Sequence, residues 1–390
     1  MIKLKFLFDK VINLLLISIT YVLSYIIPKN KYIYIFWSSN WYSFSWNSKE
    51  IFLHYKKNKK LKLFYISDDK NLKKIIWKDF IYRKSFKAYI LLLRAKLIFL
   101  DSWIKHISIL YALIWNFNII LLWHWDWFKK IEFENPYFKK RQNLIWINLL
   151  KNQYKNIKLW ITWNNFNKKT LNKSFLTNKF KVTWLPRNNI FIKNINTSKL
   201  YNIKNFNLKW YKKILLYTPT WRDSDKNNYF SPFSNIFYNK LNNFLAKNNY
   251  LMIFKPHYLS KIKYNNKSNI LILPKNIDIQ EIMNISDILI TDYSSIFIDF
   301  LLTWKKIIFY TYDYSKYINK DKDLYLSYND IIINESNAKN ETDLLNIIKK
   351  IDKISNIQSY KSKYNKLLNF FHQYNKNMII ENIEKEINKL

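Results

Sequence analysis

The sequence predicts an α/β protein built from two parallel-sheet domains, and three observations carry the prediction. About half of the 390 residues are apolar or aromatic, enough to fill the cores of two domains of ordinary size. Short apolar runs with strand character alternate with amphipathic stretches, which is the order of strand, covering helix and strand that a parallel sheet requires. The alternation occurs as two separate series, parted by a polar, Asn- and Lys-rich segment from Lys193 to Lys213.

Residues 1–30 come first. Val11 to Ile27 is an almost uncharged apolar run, preceded by Lys3, Lys5 and Lys10 and closed by Pro28-Lys29-Asn30-Lys31. It lies at the lower edge of spanning length, and Asn13, Ser18, Thr20 and Ser24 weaken it further. A secretory signal would need a small-residue cleavage site, which is missing. The expectation is a helix lying on or dipping into the inner membrane face, its basic flanks on anionic headgroups. The alternative is a helix packed on its own domain.

Domain one is expected over 31–192. Its strand-like runs are Tyr32 to Phe36, Leu61 to Ile66, Ala95 to Leu100 and Ile119 to Leu122, with helices expected at Ser48 to Lys57 and Ser85 to Arg94. The segment 193–213 is the expected linker. Domain two, 214–352, has strand-like runs at Ile214 to Tyr217, Leu251 to Lys255, Ile270 to Leu273, Ile288 to Thr291 and Ile307 to Tyr310. Helical stretches fall at Ile236 to Asn248 and Ile296 to Leu302, and residues 353–390 read as C-terminal helices, or equally as a solvated charged face.

The formal charge of +38 attracts nucleic acid, anionic lipid and phosphate-bearing substrates alike, so charge alone selects none of them. There is no cysteine, which excludes disulfides, thiolate metal sites and a cysteine nucleophile.

Glycine is absent altogether and tryptophan occurs 16 times, where average usage of ~7% would give roughly 27 glycines. Several tryptophans stand where a chain normally needs a positive φ or a bare backbone, as in Asn40-Trp41-Tyr42, Ser45-Trp46-Asn47 and His124-Trp125-Asp126. The expectation is that many of these positions, 41, 46, 125 and 184 among them, are glycine in the organism, encoded by a reassigned stop codon.

The segment Ile288 to Phe300 carries the clearest chemistry. A buried strand ends in Thr291-Asp292-Tyr293-Ser294-Ser295 and a helix begins, so backbone N–H groups and hydroxyls converge with a helix dipole behind them. That is a phosphate site needing neither glycine nor metal; the plainer reading is a serine helix cap. Lys255-Pro256-His257 ends another strand of the same domain, and ligands collect at the carboxyl edge of parallel sheets. His257 is therefore expected to share a pocket with Ser294 and Ser295 and to bind or protonate a phosphate. Beyond a third strand, Arg222 in Pro219-Thr220-Trp221-Arg222-Asp223 is placed to fork onto phosphate oxygens, or else to pair with Asp223. Asp223 and Asp225 imitate an Asp-x-Asp metal motif, a weak signal, and no metal is expected. In domain one, His124 follows a strand directly with Lys129 and Lys130 one helical turn on, a place for a base acting on an acceptor hydroxyl.

Together these segments resemble the CDP-glycerol:poly(glycerophosphate) glycerophosphotransferase family of teichoic-acid synthesis. The family's Leu-Trp-His-Gly-Thr-Pro-Leu-Lys-Lys is similar to Leu122 to Lys130, with Trp125 at the glycine position and Asp126-Trp127 departing from Thr-Pro. Its Gly-x-Pro-Arg-Asn-Asp resembles Trp184 to Asn189. Pro-Thr-Trp-Arg-Asp, Lys-Pro-His and Thr-Asp-Tyr-Ser-Ser are intact at Pro219 to Asp223, Lys255 to His257 and Thr291 to Ser295, the last followed by Asp299. Leu302 to Tyr310 resembles Leu-Gly-Lys-Pro-Ile-Ile-Phe-Tyr with one extra residue before Trp304, which stands at the glycine.

The resemblance implies a GT-B-like fold, two Rossmann-like domains facing a central cleft, and transfer of a glycerol phosphate or related polyol phosphate from a CDP-linked donor to a lipid-linked acceptor. It implies donor binding by Arg222, Lys255, Thr291, Asp292, Ser294, Ser295 and Asp299, with His257 beside them. An acceptor side is implied at His124, Lys129, Lys130, Arg187 and Asn188. The implied partners are the CDP-linked donor, the lipid-linked acceptor and the cytoplasmic face of an anionic membrane. No cofactor is expected beyond the donor. A GT-B glycosyltransferase using a nucleotide sugar is the competing enzyme. A basic nucleic-acid-binding protein is the non-enzymatic competitor; it predicts basic residues gathered on one face, whereas the lysines are scattered.

Overall fold

The structure is a computed structural model and describes residues 18–37, 44–102, 116–123, 130–135, 138, 144–192, 202–203, 206–220, 222, 230–257, 260–274, 277–320, 325–373 and 378–390. These form two compact units. One holds the described residues of 18–123, 131–189 and 378–390, the other Lys130 and those of 190–373.

The first unit is built on a seven-stranded sheet of β1 (Asn30–Trp37), β2 (Lys62–Ser67), β3 (Phe80–Tyr82), β4 (Ala95–Leu100), β5 (Ile119–Leu121), β6 (Leu159–Thr162) and β7 (Phe180–Val182). The spatial order is β3-β2-β1-β4-β5-β6-β7, with every pairing parallel. Strands covered by helices on both faces read as continuous apolar runs, and Ile98, Phe99 and Leu100 of β4 are all buried. The helix Phe86–Arg94 starts where the Ser85 hydroxyl accepts from the Ala88 N–H, and it buries Leu91, Leu92 and Leu93. Arg94 sits in its last turn, where the helix dipole favours a cation.

The second unit repeats the plan. Its strands are β10 (Lys213–Thr218), β11 (Tyr250–Phe254), β12 (Ile270–Ile272), β13 (Ile288–Thr291), β14 (Lys306–Tyr310) and β15 (Asn337–Ala338), in the order β12-β11-β10-β13-β14-β15 and parallel throughout. The strand order reverses between β10 and β13, the switch point at which α/β sheets leave a crevice beyond their carboxyl ends. Helices Asn235–Lys247 and Glu341–Ile354 press Leu241, Leu245, Leu344 and Ile348 onto β10, β11, β13 and β14 residues in one core. Two doubly wound units of this kind make the architecture GT-B-like.

Strands β3, β6, β7 and β15 and the helices Leu144–Asn156 and Asn165–Phe175 were not among the runs expected from sequence. Within the expected linker a short antiparallel hairpin forms, β8 (Asn202–Ile203) with β9 (Phe206–Asn207), followed by a helical turn at Leu208–Trp210. The C-terminal stretch divides into Gln358–Phe371 in the second unit and Ile379–Ile387 in the first.

A helix occupies 18–26, and its polarity is inverted. Ile19, Val22, Tyr25 and Ile26 are exposed, while Ser24 is buried, its hydroxyl bonded to the Tyr21 carbonyl and its own carbonyl to Asn116. Among the described residues no helix is long and apolar enough to cross a membrane.

Candidate functional site

In the second unit, three strand ends bring the sequence motifs to one edge. The register aligns Tyr217 of β10 with Phe254 of β11 and Ile290 of β13. Lys255, Thr218 and Thr291 therefore lie level, and His257 and Ser294 both follow just beyond. With β10 between them, the ends of β11 and β13 are about 10 Å apart.

A buried polar network closes the switch point. Asp292, fully buried, accepts from the backbone N–H of Thr220 at 2.8 Å and from its hydroxyl at 2.6 Å. Its other oxygen meets Arg222 Nη2 at 2.8 Å. Arg222 is only 2% exposed; its Nε and Nη2 also donate to the two oxygens of Asp313 at 2.9 and 3.0 Å, and Nη1 donates to the Thr220 carbonyl. The rings of Tyr293 and Tyr317 stack on each other at 4.0 Å, and each lies within 5 Å of the guanidinium. Burial works against that charge, but Asp292 and Asp313 more than offset it, so the guanidinium pKa is held above its ordinary value. The Tyr328 hydroxyl donates to the Asp292 carbonyl, and the Tyr293 hydroxyl donates to Asp313 at 3.0 Å. Burial first, and the neighbouring carboxylates next, push both phenols up and keep them as donors.

The expected donor residues thus divide into two sets. Arg222, Thr291, Asp292 and Asp299 are buried and engaged within the protein: the Thr291 hydroxyl donates to the Thr218 carbonyl at 3.2 Å, and Gln280 donates to Asp299 at 3.2 Å. Lys255, His257, Ser294 and Ser295 are partly exposed at the sheet edge. Lys255 Nζ donates to the Pro274 carbonyl at 2.6 Å. The helix after Ser295 runs only Ile296–Phe300, and Ser295 makes no side-chain cap bond to it. The Ser294 hydroxyl accepts from the Ile296 N–H at 3.4 Å, a weak bond.

A cavity of about 590 Å³ opens beyond β14 and β15, bordered by Asp313, Tyr314, Lys316, Tyr328, Asn329 and Lys339. Asp313 and Tyr328 belong to both the network and the cavity wall. Neither was anticipated from sequence, although Asp313 follows the end of β14 just as the motif residues follow the ends of their strands.

In the first unit, Asn47 ties three turns at the carboxyl edge together. Its Nδ2 donates to the carbonyls of Leu122 and Trp123, and its Oδ1 accepts from the Arg187 N–H at 2.9 Å. Ser48 is held by Asp101, through its N–H at 3.0 Å and its hydroxyl at 2.6 Å. Arg187 and Asn188 are buried here, and the ring of Trp46 covers the Arg187 guanidinium at 5.2 Å. Lys130, expected in the first domain, belongs instead to the second unit and is partly exposed. His124 and Lys129, and the carboxylates Asp223 and Asp225, lie outside the described residues. Among the described residues no cluster of metal-ligating side chains occurs.

A family model described as CDP-Glycerol:Poly(glycerophosphate) glycerophosphotransferase matches residues 19–389. The chain is 29% identical over 185 residues to the teichoic acid glycerol-phosphate transferase of Staphylococcus aureus, covering 46% of each protein. It is 35% identical over 162 residues to a teichoic acid poly(glycerol phosphate) polymerase of Bacillus spizizenii, covering 38% of this chain and 40% of the relative. These alignments span less than half the length of the curated relatives. Among solved structures, the wall teichoic acid polymerase TagF superposes with a TM-score of 0.75 at 19% identity, over 92% of this chain and 91% of that one. A TagF variant soaked with CDPG gives 0.72 at 18% identity, over 92% and 90%.

Proposed function

Because the chain belongs to the CDP-glycerol:poly(glycerophosphate) glycerophosphotransferase family, we propose that it transfers glycerol phosphate, or a related polyol phosphate, from a CDP-linked donor to a lipid-linked wall teichoic acid-type acceptor. The observation that carries this reading is the joining of the Pro-Thr-Trp-Arg and Thr-Asp-Tyr-Ser-Ser segments by the buried Arg222–Asp292 pair, which fixes the turn that carries Ser294 and Ser295 beside the β11 end that carries Lys255 and His257.

Ser294, Ser295 and Lys255 bind the donor's diphosphate by charge-assisted hydrogen bonds. Arg222, Asp292, Thr291 and Asp299 act behind them, holding the turns in place. In the transfer, the acceptor hydroxyl oxygen bonds to the phosphorus that carries the polyol, and the bond from that phosphorus to the CMP phosphate breaks. The hydroxyl proton passes to a base, assigned to His124 from its sequence position, with Lys129, Lys130, Arg187 and Asn188 on the acceptor side. His257 and Lys255 balance the charge that develops on departing CMP. Cationic side chains perform that task without a metal, so activity should survive exhaustive chelation, and strict dependence on a divalent ion would return attention to Asp223 and Asp225.

The exposed apolar residues of the 18–26 helix and the lysines near it support attachment to the cytoplasmic face of an anionic membrane. The donor class is tested by calorimetric titration with CDP-glycerol, CDP-ribitol and nucleotide sugars. Binding of a CDP-polyol in preference to every nucleotide sugar is expected; the reverse preference would favour the glycosyltransferase reading.

A further inference from the structure

We propose that the natural residues at 46, 77, 184 and 304 are glycine, each tryptophan being the reading, under another code, of a codon that the source organism assigns to glycine. The backbone argues this independently of composition. Among the described residues eight have positive φ, and five of them are tryptophan: Trp46 (67°), Trp77 (53°), Trp123 (54°), Trp184 (70°) and Trp304 (59°). Tryptophan makes up 16 of 390 residues, so chance would place fewer than one there. A side chain with a Cβ resists this region, at roughly a 5- to 30-fold cost in the folding equilibrium per residue. Trp77 is the extreme case, because its ψ of −122° lies outside even the left-handed helical well and in space open to glycine.

The indole rings do not account for these conformations. Trp77 and Trp304 are 79% and 62% exposed, so two large apolar rings are left mostly to water at tight turns, the Trp304 ring stacking on Tyr364 at 6.3 Å. Trp184 and Trp304 occupy places where the family pattern has glycine, and backbone angle and motif spacing agree at both. Trp123 is set apart: the same pattern has tryptophan there, and its ring packs edge-on to Phe175 at 5.3 Å. Trp37, Trp160 and Trp163 are buried without positive φ and stay tryptophan.

The substitution reaches the candidate acceptor side. Glycine at 46 removes the ring that covers the Arg187 guanidinium, and glycine at 184 removes a second indole from the turn that carries Arg187. The natural protein therefore presents a more open arginine at the carboxyl edge of its first sheet.

Mass spectrometry of peptides from the protein isolated from its source decides the matter. Glycine is expected at 46, 77, 184 and 304 and tryptophan at 37, 160 and 163; tryptophan at the first four positions would overturn the proposal. A second measurement needs only the recombinant chain. Trp77→Gly and Trp304→Gly should each shift the unfolding equilibrium about 5- to 30-fold toward the native state. Trp210→Gly, at an exposed tryptophan of ordinary φ, should give no gain. Destabilisation by both of the first two variants would count against the proposal.

Discussion

Arg222 and Asp292 stand 70 residues apart in sequence and meet at 2.8 Å with neither side chain more than 2% exposed. The pair spans the switch point of the second sheet. Breaking it leaves a buried charge uncompensated, which typically costs about 3–5 kcal/mol. Arg222→Met should therefore lower the urea midpoint of the second unit by that equivalent, and Asp292→Asn should do likewise. Midpoints within error of wild type would mean that the network does not hold the strand ends.

Ser294 and Ser295 have a different expected signature. Each is partly exposed and neither anchors the following helix strongly, so Ser294→Ala with Ser295→Ala should leave folding nearly intact. Affinity for CDP-glycerol should fall by about 1–3 kcal/mol through lost charge-assisted bonds. Calorimetry showing unchanged affinity would move the diphosphate elsewhere.

The two histidines separate by kinetics. Loss of a positioned base lowers turnover by ~10²–10⁴-fold with ground-state binding nearly preserved, which is the pattern expected of His124→Ala. For His257→Ala, donor affinity and turnover should fall together. The opposite pattern would exchange their roles.

Lys29 supplies a pH dependence. Burial depresses its pKa from 10.5 to about 8, with Nζ donating to the Leu93 carbonyl and lying 3.9 Å from the Phe117 ring centre. Between those values the unfolded chain holds a proton that the folded chain has released, so this residue's contribution to stability rises with pH across that window. Lys29→Met should stabilise the protein at about pH 7 and lose most of that advantage above about pH 10. An advantage that does not change with pH would assign the effect to packing alone.

The 18–26 helix predicts binding to anionic vesicles. Replacing Ile19, Val22 and Ile26 by Asn removes exposed apolar surface without touching the buried Ser24, and co-sedimentation with such vesicles should drop sharply. Equal sedimentation of the variant and the parent would place membrane contact elsewhere or nowhere.

Much of this architecture was legible because a strand buried on both faces must be apolar along its whole length. Ile288 to Ile290 and Leu97 to Leu100 could be read directly for that reason. The strand β7 escaped because Lys181 interrupts Phe180–Val182, and β15 because Asn337–Ala338 is two residues long, whereas Ile119–Leu121 and Ile270–Ile272 are wholly apolar. At the candidate site, spacing marked His257 and the two serines but misjudged the surroundings of Arg222, expected to face phosphate or pair with Asp223. Its partner Asp313 is 91 residues away, and no local pattern announces a contact that only the order of β10, β13 and β14 creates. Turns normally punctuated by glycine carried tryptophan instead, which hid several boundaries.

Turnover separates transfer from a CDP-linked donor from its alternatives. The chain, both as it stands and with Trp46→Gly, Trp77→Gly, Trp125→Gly, Trp184→Gly and Trp304→Gly, is incubated with CDP-glycerol and a lipid-linked acceptor, and released CMP is measured together with acceptor extension. CMP should be released in an amount equal to the polyol phosphate units added to the acceptor, in at least the glycine form, and His257→Ala in that form should lower both. Absence of extension from CDP-glycerol and CDP-ribitol in both forms, with consumption of a nucleotide sugar instead, would contradict it.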